Sequence, residues 1–260
     1  MTQGTHQMTE TPRKYGGGRT KMAITGVLVL AVLAVLLTLG TWQVQRLQWK
    51  EQLLSDMAAR RNAPPIGAEE VAAMLSRGED IEYRTMRVSG TFDHAGERHF
   101  FATHNGQPGF YVYTPMRLED GAVLFVNRGF VPYDLKDPAL RAQGQVSGEV
   151  TVTGYARAEL LEKPSAIVPE NDPAKNIFYW KDLSAMTSTT GVDANLVLPF
   201  FMDVDASQTV PGGLPQGGVT QFALTNNHLQ YAVTWYGLAG ALVFVVIAVG
   251  LRRRKPDEGV

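Results

Sequence analysis

A segment near the carboxyl end of the chain combines a histidine with aromatic and small residues at helical spacing. Five of its residues share one face of a helix: His228, Tyr231, Ala232, Trp235 and Ala239. A neutral imidazole here could ligate a haem iron, and the flat macrocycle would lie against the aromatic rings in the room beside the alanines. A histidine that caps or hydrogen-bonds the helix start explains the same residues, and the residues alone favour that simpler role. His228 is therefore a candidate metal ligand with an open alternative.

A second segment, residues 39–50 (LGTWQVQRLQWK), carries two tryptophans and an arginine on one helical face. Trp42, Arg46 and Trp49 follow one another at intervals of four and three residues. A belt of aromatic residues at a membrane surface explains Trp42 well, since indoles prefer the headgroup level. It explains Trp49 less well, because that residue lies roughly 10 Å farther along a helix. Trp42 and Arg46 are therefore candidate cofactor contacts.

A third segment, residues 126–132 (VNRGFVP), predicts a strand that ends in a sharp turn. Arg128 within it could hold a carboxylate such as a haem propionate. It could equally pair with an acidic residue of the same domain, and the sequence does not separate these two roles.

Recognisable catalytic motifs are scarce in this sequence. It contains no cysteine, and none of the patterns GxSxG, HExxH, GxGxxG or the P-loop occurs. His94, His99 and His104 are spaced by five, which puts neighbours on opposite faces of a strand, so we expect surface histidines and no metal site there. We predict a protein that is not an enzyme and that has no nucleic-acid partner.

Two uncharged runs of 21 residues each, Met22–Trp42 and Tyr231–Leu251, are long enough to cross a bilayer as helices. Basic residues lie just before the first run and just after the second run, which predicts that both termini are cytoplasmic. The sequence predicts five segments: a cytoplasmic tail (1–21), a transmembrane helix (22–42), a periplasmic β-rich domain (43–230), a second transmembrane helix (231–251) and a cytoplasmic tail (252–260). The expected location is the inner membrane of a bacterial cell.

The region between the two runs changes from helical to strand periodicity. Residues 42–61 predict a helix that continues out of the bilayer, and residues 68–76 and 183–188 predict short helices. Alternating residues then predict six strands, which we place at 83–92, 97–103, 110–118, 122–131, 148–158 and 196–204. Short turns between most of them favour an antiparallel meander or a small open barrel. The fold class is therefore a membrane α+β protein with an antiparallel β domain outside the cytoplasm.

Taken together, the three segments and the two spans resemble the Surfeit locus protein family of cytochrome oxidase assembly factors, the Shy family of yeast. The resemblance runs from about residue 28 to residue 251, and Phe130 stands where relatives often have Trp. It implies a protein that helps to mature subunit I of a haem-copper terminal oxidase. It further implies binding of haem a received from a haem a synthase, with His228 as the axial ligand.

Two functions from different classes follow from this resemblance. The first is a cofactor chaperone in the lipid bilayer that binds haem a and aids its insertion into subunit I. The alternative is a membrane scaffold that stabilises an oxidase assembly intermediate and does not bind haem. An absorbance spectrum of the purified protein distinguishes the two.

Overall fold

The computed structural model describes residues 18–222 and 225–254. The chain divides into two compact units, and each is described by itself below. A helical unit consists of the described parts of Met1–Gln52 and Leu224–Val260, and a β unit consists of Leu53–Ala223. The predicted cytoplasmic tails lie largely outside the described residues.

The helical unit contains most of helix α1 (Gly18–Asn62) and all of the last helix, α4 (His228–Arg254). Both helices are long and apolar enough to cross a membrane, and they make this chain a candidate membrane protein. They run antiparallel, since Gly40 lies beside Tyr236 and Lys50 beside Thr225. The less exposed positions of both helices recur every three or four residues, as expected for helices that pack side by side. Those positions of α4 are His228, Ala232, Trp235, Ala239 and Leu242, followed after six residues by Ala248.

The β unit holds two short helices and six strands. The helices are α2 (Ala68–Ser76) and α3 (Leu183–Ser188), with the predicted boundaries. The strands are β1 (Thr85–Phe92), β2 (Arg98–His104), β3 (Gln107–Leu118), β4 (Val123–Pro132), β5 (Glu149–Ala158) and β6 (Val197–Val204). Each strand lies within a few residues of its predicted position.

The strands close into a barrel with one parallel pair, whereas the sequence predicts an antiparallel meander or a small open barrel. Five strands pair in the ring β1-β5-β6-β4-β3-β1, and β2 extends the sheet at the first half of β3. Closure depends on the twelve-residue length of β3, whose second half pairs with β1 in the register Gly90 to Leu118. The β4–β6 pair is parallel, since a closed ring of five strands cannot alternate in direction at every pair.

The barrel interior is apolar and is covered at one side by α2. Alternate residues of each strand point inward, as period-two strands require. The inward row of β4 contains Leu124 and Val126, which pack with Met86, Val88 and Val152 of the neighbouring strands. A second apolar cluster lies on the other face of the sheet under α3, around Phe125 and Phe201.

The last turns of α1 pack against the barrel within the β unit. Met57 is buried there, and the guanidinium of Arg61 lies 4.7 Å from the centre of the Phe222 ring. Arg60 forms an ion pair with Asp80 at 2.5 Å, and the Thr85 hydroxyl donates to the carbonyl of Arg61. Helix and barrel in this unit are therefore joined by both apolar and polar contacts.

Candidate functional site

His228 is the first residue of α4, and its imidazole is held by a glutamine of α1. The Nδ1 atom of His228 lies 2.7 Å from Oε1 of Gln43, whose side chain is only 8% exposed between the helices. The His228 amide donates to Oδ1 of Asn226 at 3.4 Å. Both roles considered for His228, a position at the helix start and a presented imidazole, are therefore compatible with its placement.

The Gln43 contact determines which ring nitrogen of His228 is available. An amide oxygen only accepts hydrogen bonds, so in the neutral imidazole Nδ1 carries the proton and Nε2 keeps its lone pair. Histidines that bind metals characteristically donate their other ring N–H to a polar partner, which fixes the tautomer and orients the ring. The donor set thus fits a haem iron at Nε2, and Gln43 is a residue that the sequence analysis did not select.

The room expected beside the small residues of α4 is closed. Ala232 and Ala239 are 2% and 4% exposed, because these alanines lie on the face of α4 that packs against α1. A cofactor ligated by His228 would therefore lie outside this helix contact, on the side where Tyr231 is 52% exposed. The expectation that the alanines leave space for a macrocycle is wrong.

The string Gly40-Thr41-Trp42-Gln43 of α1 contacts α4 through three of its four residues. A Cβ atom on Gly40 would stand 2.9 Å from Cε1 of Tyr236, so the ring lies directly on the glycine. The hydroxyls of Thr41 and Tyr236 are 3.0 Å apart, and one donates to the other. Gly40, Thr41 and Gln43 therefore fix the position of α4 relative to α1 and, with it, the position of His228.

The other candidate contacts of the helical unit are more exposed. Trp42 is 49% exposed, Arg46 is exposed and Trp235 is half-buried. The guanidinium of Arg46 lies 4.6 Å from the centre of the Trp49 ring, a cation–π contact that keeps it on the surface of α1. Arg46 is thereby available for an anionic group, and Trp49 supports it.

Arg128 lies elsewhere, inside the β unit. It continues the inward row of β4 after Leu124 and Val126, and it is only 3% exposed. Its Nη2 donates to the carbonyl of Gly144, its Nη1 lies 3.3 Å from Nδ1 of His94, and its guanidinium lies 4.9 Å from the Phe92 ring centre. The acidic partner that the sequence analysis considered for Arg128 is absent from these contacts.

The rest of the 126–132 motif holds the barrel together. Asn127 donates to Asp203 of β6 at 2.9 Å and accepts from the Gly129 amide at 3.1 Å. Gly129 has a φ of +122°, and a Cβ there would overlap the Gln216 carbonyl. Phe130 and Gln216 exchange two backbone hydrogen bonds at that point. The motif therefore combines one inward cation with a close approach of two chain segments.

A buried ionic cluster beside Arg128 was missed, because the sequence analysis placed His99 on the surface. His99 is 4% exposed, and its Nε2 lies 2.8 Å from Oε1 of Glu97. Arg141 grips both carboxylate oxygens of Glu97, at 3.1 Å for Oε2. Burial alone would raise the pKa of Glu97, but the hydrogen bonds from His99 and Arg141 and the charge of Arg141 outweigh it and lower that pKa to about 2. Only the pairing of β2 with β3 and the fold of residues 138–144 bring these side chains together.

Comparison with known proteins identifies the family. The sequence profile of the SURF1 family matches residues 30–240 of this chain. The chain belongs to the SURF1 family. Surfeit locus protein 1 of Homo sapiens is 40% identical over 224 residues, which is 80% of this chain and 71% of that protein. The Xenopus tropicalis protein of the same name is 39% identical over 235 residues, 84% of this chain and 73% of that protein. A SURF1-like protein of Drosophila melanogaster is 29% identical over 255 residues, 91% of this chain and 81% of that protein.

Membership in the SURF1 family confirms the resemblance drawn from the three motifs. The matched range contains part of α1, the whole barrel and the first half of α4. All six candidate residues fall within it: Trp42, Arg46, Arg128, His228, Tyr231 and Trp235. The structure brings His228 together with Gln43.

Proposed function

We propose that this protein is an assembly factor for a haem-copper terminal oxidase, and that it binds haem a through His228 and aids its insertion into subunit I. The role in assembly is supported by membership in the SURF1 family. The role of His228 is supported by its contact with Gln43, which leaves Nε2 free to bind iron. A haem a synthase is the proposed donor of the cofactor, and this protein itself is not an enzyme.

In this proposal, different residues of the helical unit contact the iron, the macrocycle and the propionates of the cofactor. His228 supplies the axial nitrogen, Tyr231 and Trp235 offer aromatic surface, and Trp42 adds an indole next to Gln43 in α1. Arg46 is the proposed partner of the propionates, because it is exposed and held against Trp49. When bound, haem a supplies a redox-active iron and a Soret absorption band.

The proposed location is the inner membrane of a bacterial cell, with residues 43–230 in the periplasm. The two apolar helices support a membrane location. The basic residues beyond both uncharged runs support cytoplasmic termini. In this arrangement His228 and Gln43 lie near the periplasmic surface of the bilayer.

The alternative function is a scaffold that stabilises an oxidase intermediate without haem. The closed face of α4 favours it, because Ala232 and Ala239 serve helix packing and leave no room for a macrocycle between the helices. In that case the His228–Gln43 hydrogen bond is a structural tie between α1 and α4.

The test is the absorbance spectrum of the full chain purified from cells that make haem a. We expect a Soret band in the wild type, its loss or shift in His228→Ala, and an unchanged band in Asn227→Ala, whose side chain is exposed at the adjacent position. Gln43→Leu should weaken haem binding by about ten- to a hundredfold, since it removes the partner that orients the imidazole. Gln45→Leu, an exposed position on the same helix, is its control.

Two results would count against haem binding at His228. A wild-type protein without any haem absorption would favour the scaffold. A Soret band that is identical in His228→Ala would exclude His228 as the ligand. Loss of the imidazole as a mere structural tie would cost only about 1 kcal/mol of stability and leave any haem band in place.

A further inference from the structure

The ionic groups buried at one end of the barrel do not balance. Glu97, Arg128 and Arg141 are 3%, 3% and 5% exposed, and Arg141 and His99 both bind the carboxylate of Glu97. Within residues 18–222 and 225–254, no carboxylate forms an ion pair with Arg128. A buried charge without a counterion costs free energy unless something else compensates it.

The contacts that Arg128 does make are neutral. They are the Gly144 carbonyl, the Nδ1 atom of His94 and the face of Phe92. His94 accepts at Nδ1 because its Nε2 donates to the carbonyl of Val146 at 2.8 Å. Burial lowers the pKa of Arg128 to about 10, so the guanidinium remains charged at neutral pH. Counted over Glu97, Arg128 and Arg141, the charge is therefore one positive charge in excess.

A cavity of about 270 Å³ adjoins this guanidinium at the mouth of the barrel. Its walls are apolar, chiefly Phe92 and the valines at positions 146, 150, 152 and 204. Residues 208–210 form its rim, and Thr209 there is exposed, so the cavity reaches the surface. Barrel mouths with apolar walls and one well-placed polar group are frequent binding sites for small molecules.

We propose that this cavity binds a small amphipathic carboxylate, whose head pairs with Arg128 and whose apolar tail contacts the valine wall. A carboxylate supplies the single negative charge that the cluster lacks, and the planar guanidinium matches its two oxygens. A phosphate suits the cavity less well, because its additional charge and oxygens would face valines. The proposal does not rest on the haem site, since every residue in it belongs to the β unit.

At about 270 Å³ the cavity accommodates a short-chain carboxylate but is too small for a haem macrocycle. A haem could still offer the same chemistry by inserting one propionate from outside. The experiment must therefore distinguish a free carboxylate from a propionate.

The probe is hexanoate, titrated calorimetrically into the full chain in a non-ionic detergent at neutral pH. We expect one saturable site per chain, and no binding of hexanamide, which has the same tail and a neutral head. Competition by haem but not by its dimethyl ester would identify a propionate as a second occupant of the same site, and absence of competition would restrict the site to free carboxylates. With or without competition by haem, the carboxylate is still bound by Arg128.

Variants separate the head contact from the tail contact. Arg128→Gln should weaken hexanoate binding by about ten- to a hundredfold, and Arg117→Gln, an exposed strand residue, should leave it unchanged. Val210→Phe fills the cavity from the rim without touching Arg128 and should also abolish binding, whereas Val192→Phe outside the cavity should not. If Arg128→Gln fails to fold, the Val210→Phe and Val192→Phe pair still decides the outcome.

The proposal predicts further that hexanoate binding persists in His228→Ala, so failure of the haem assignment leaves it standing. Three results would overturn it. They are the lack of saturable hexanoate binding up to about 10 mM, equal binding of hexanamide, and unchanged binding in Val210→Phe.

Discussion

Replacing Glu97 by glutamine tests the buried cluster that holds residues 133–144 on the barrel. The substitution keeps the size of the side chain but removes the charge that two neighbours share. Arg141 also donates to the carbonyls of Leu135 at 3.0 Å and Lys136 at 3.1 Å, so it connects β2 to this segment. Without the carboxylate, Arg141 becomes a buried charge without a counterion.

The size of the effect follows from the pKa of Glu97. Holding that pKa at about 2, against an ordinary value of 4.5, corresponds to about 3 kcal/mol of stability at neutral pH. The folded-state pKa is the lower one, so this contribution is complete above pH 4.5 and is lost as the pH falls toward 2. We expect Glu97→Gln to lower the free energy of unfolding at pH 7 by about 3 to 5 kcal/mol.

The assay is urea unfolding of the full chain in detergent, followed by tryptophan fluorescence at several pH values. Trp180 is the one tryptophan of the β unit, so a Trp180→Phe background identifies its signal. Glu119→Gln, at an exposed turn, is the control and should change the free energy of unfolding by less than about 0.5 kcal/mol. The difference between wild type and Glu97→Gln should shrink between pH 4.5 and 2. A loss below about 1 kcal/mol at pH 7, or a difference that does not shrink on acidification, would refute the argument.

Two further predictions concern the helical unit. Gly40→Ala should displace the Tyr236 ring and break its hydroxyl contact with Thr41, and overpacking of this kind costs about 1 to 3 kcal/mol of stability. Gly26→Ala, where a Cβ meets nothing within 4 Å, should be neutral or stabilising. Thermal unfolding in detergent compares the two variants, and equal melting temperatures would contradict the close contact. A reporter enzyme that is active only in the periplasm should give signal when fused at Gly212 and none at Val260, and the reverse result would overturn the proposed topology.

The strands could be predicted from the sequence because their inward residues alternate with polar ones. The row Met86, Val88, Gly90, Phe92 of β1 points into the barrel, and the residues between them are more exposed. Closure could not be predicted in the same way, because it depends on which distant strands pair. The parallel contact of β4 with β6 joins residues 74 or more positions apart, and no local pattern encodes it. Periodicity defines the elements, whereas the barrel depends on contacts between them.

In the candidate site, too, the sequence predicts what a local pattern shows and misses what depends on distant contacts. His228 could be selected from its residue type and its place at the start of an apolar helix. Gln43 could not, because an amide in a helix has no particular chemistry until its partner is known. His99 was misplaced for a related reason: its five-residue spacing from His94 and His104 says nothing about Glu97 and Arg141, which bury it.

The packing of α1 on α4 gives a structural role to Gly40 and Gln43 of the segment 39–50, although neither side chain is chemically reactive. Gly40 lets the Tyr236 ring lie on the α1 backbone, and Gln43 then meets His228 two turns of helix away on α4. In a membrane, helices associate through such small residues and hydrogen bonds, since apolar side chains gain little by leaving lipid. Trp42 and Trp49 of the same segment remain exposed on the outside of the helix pair. A ligand role for His228 therefore depends on a glycine and an amide that hold the imidazole, so Gly40→Ala and Gln43→Leu should weaken any haem band together.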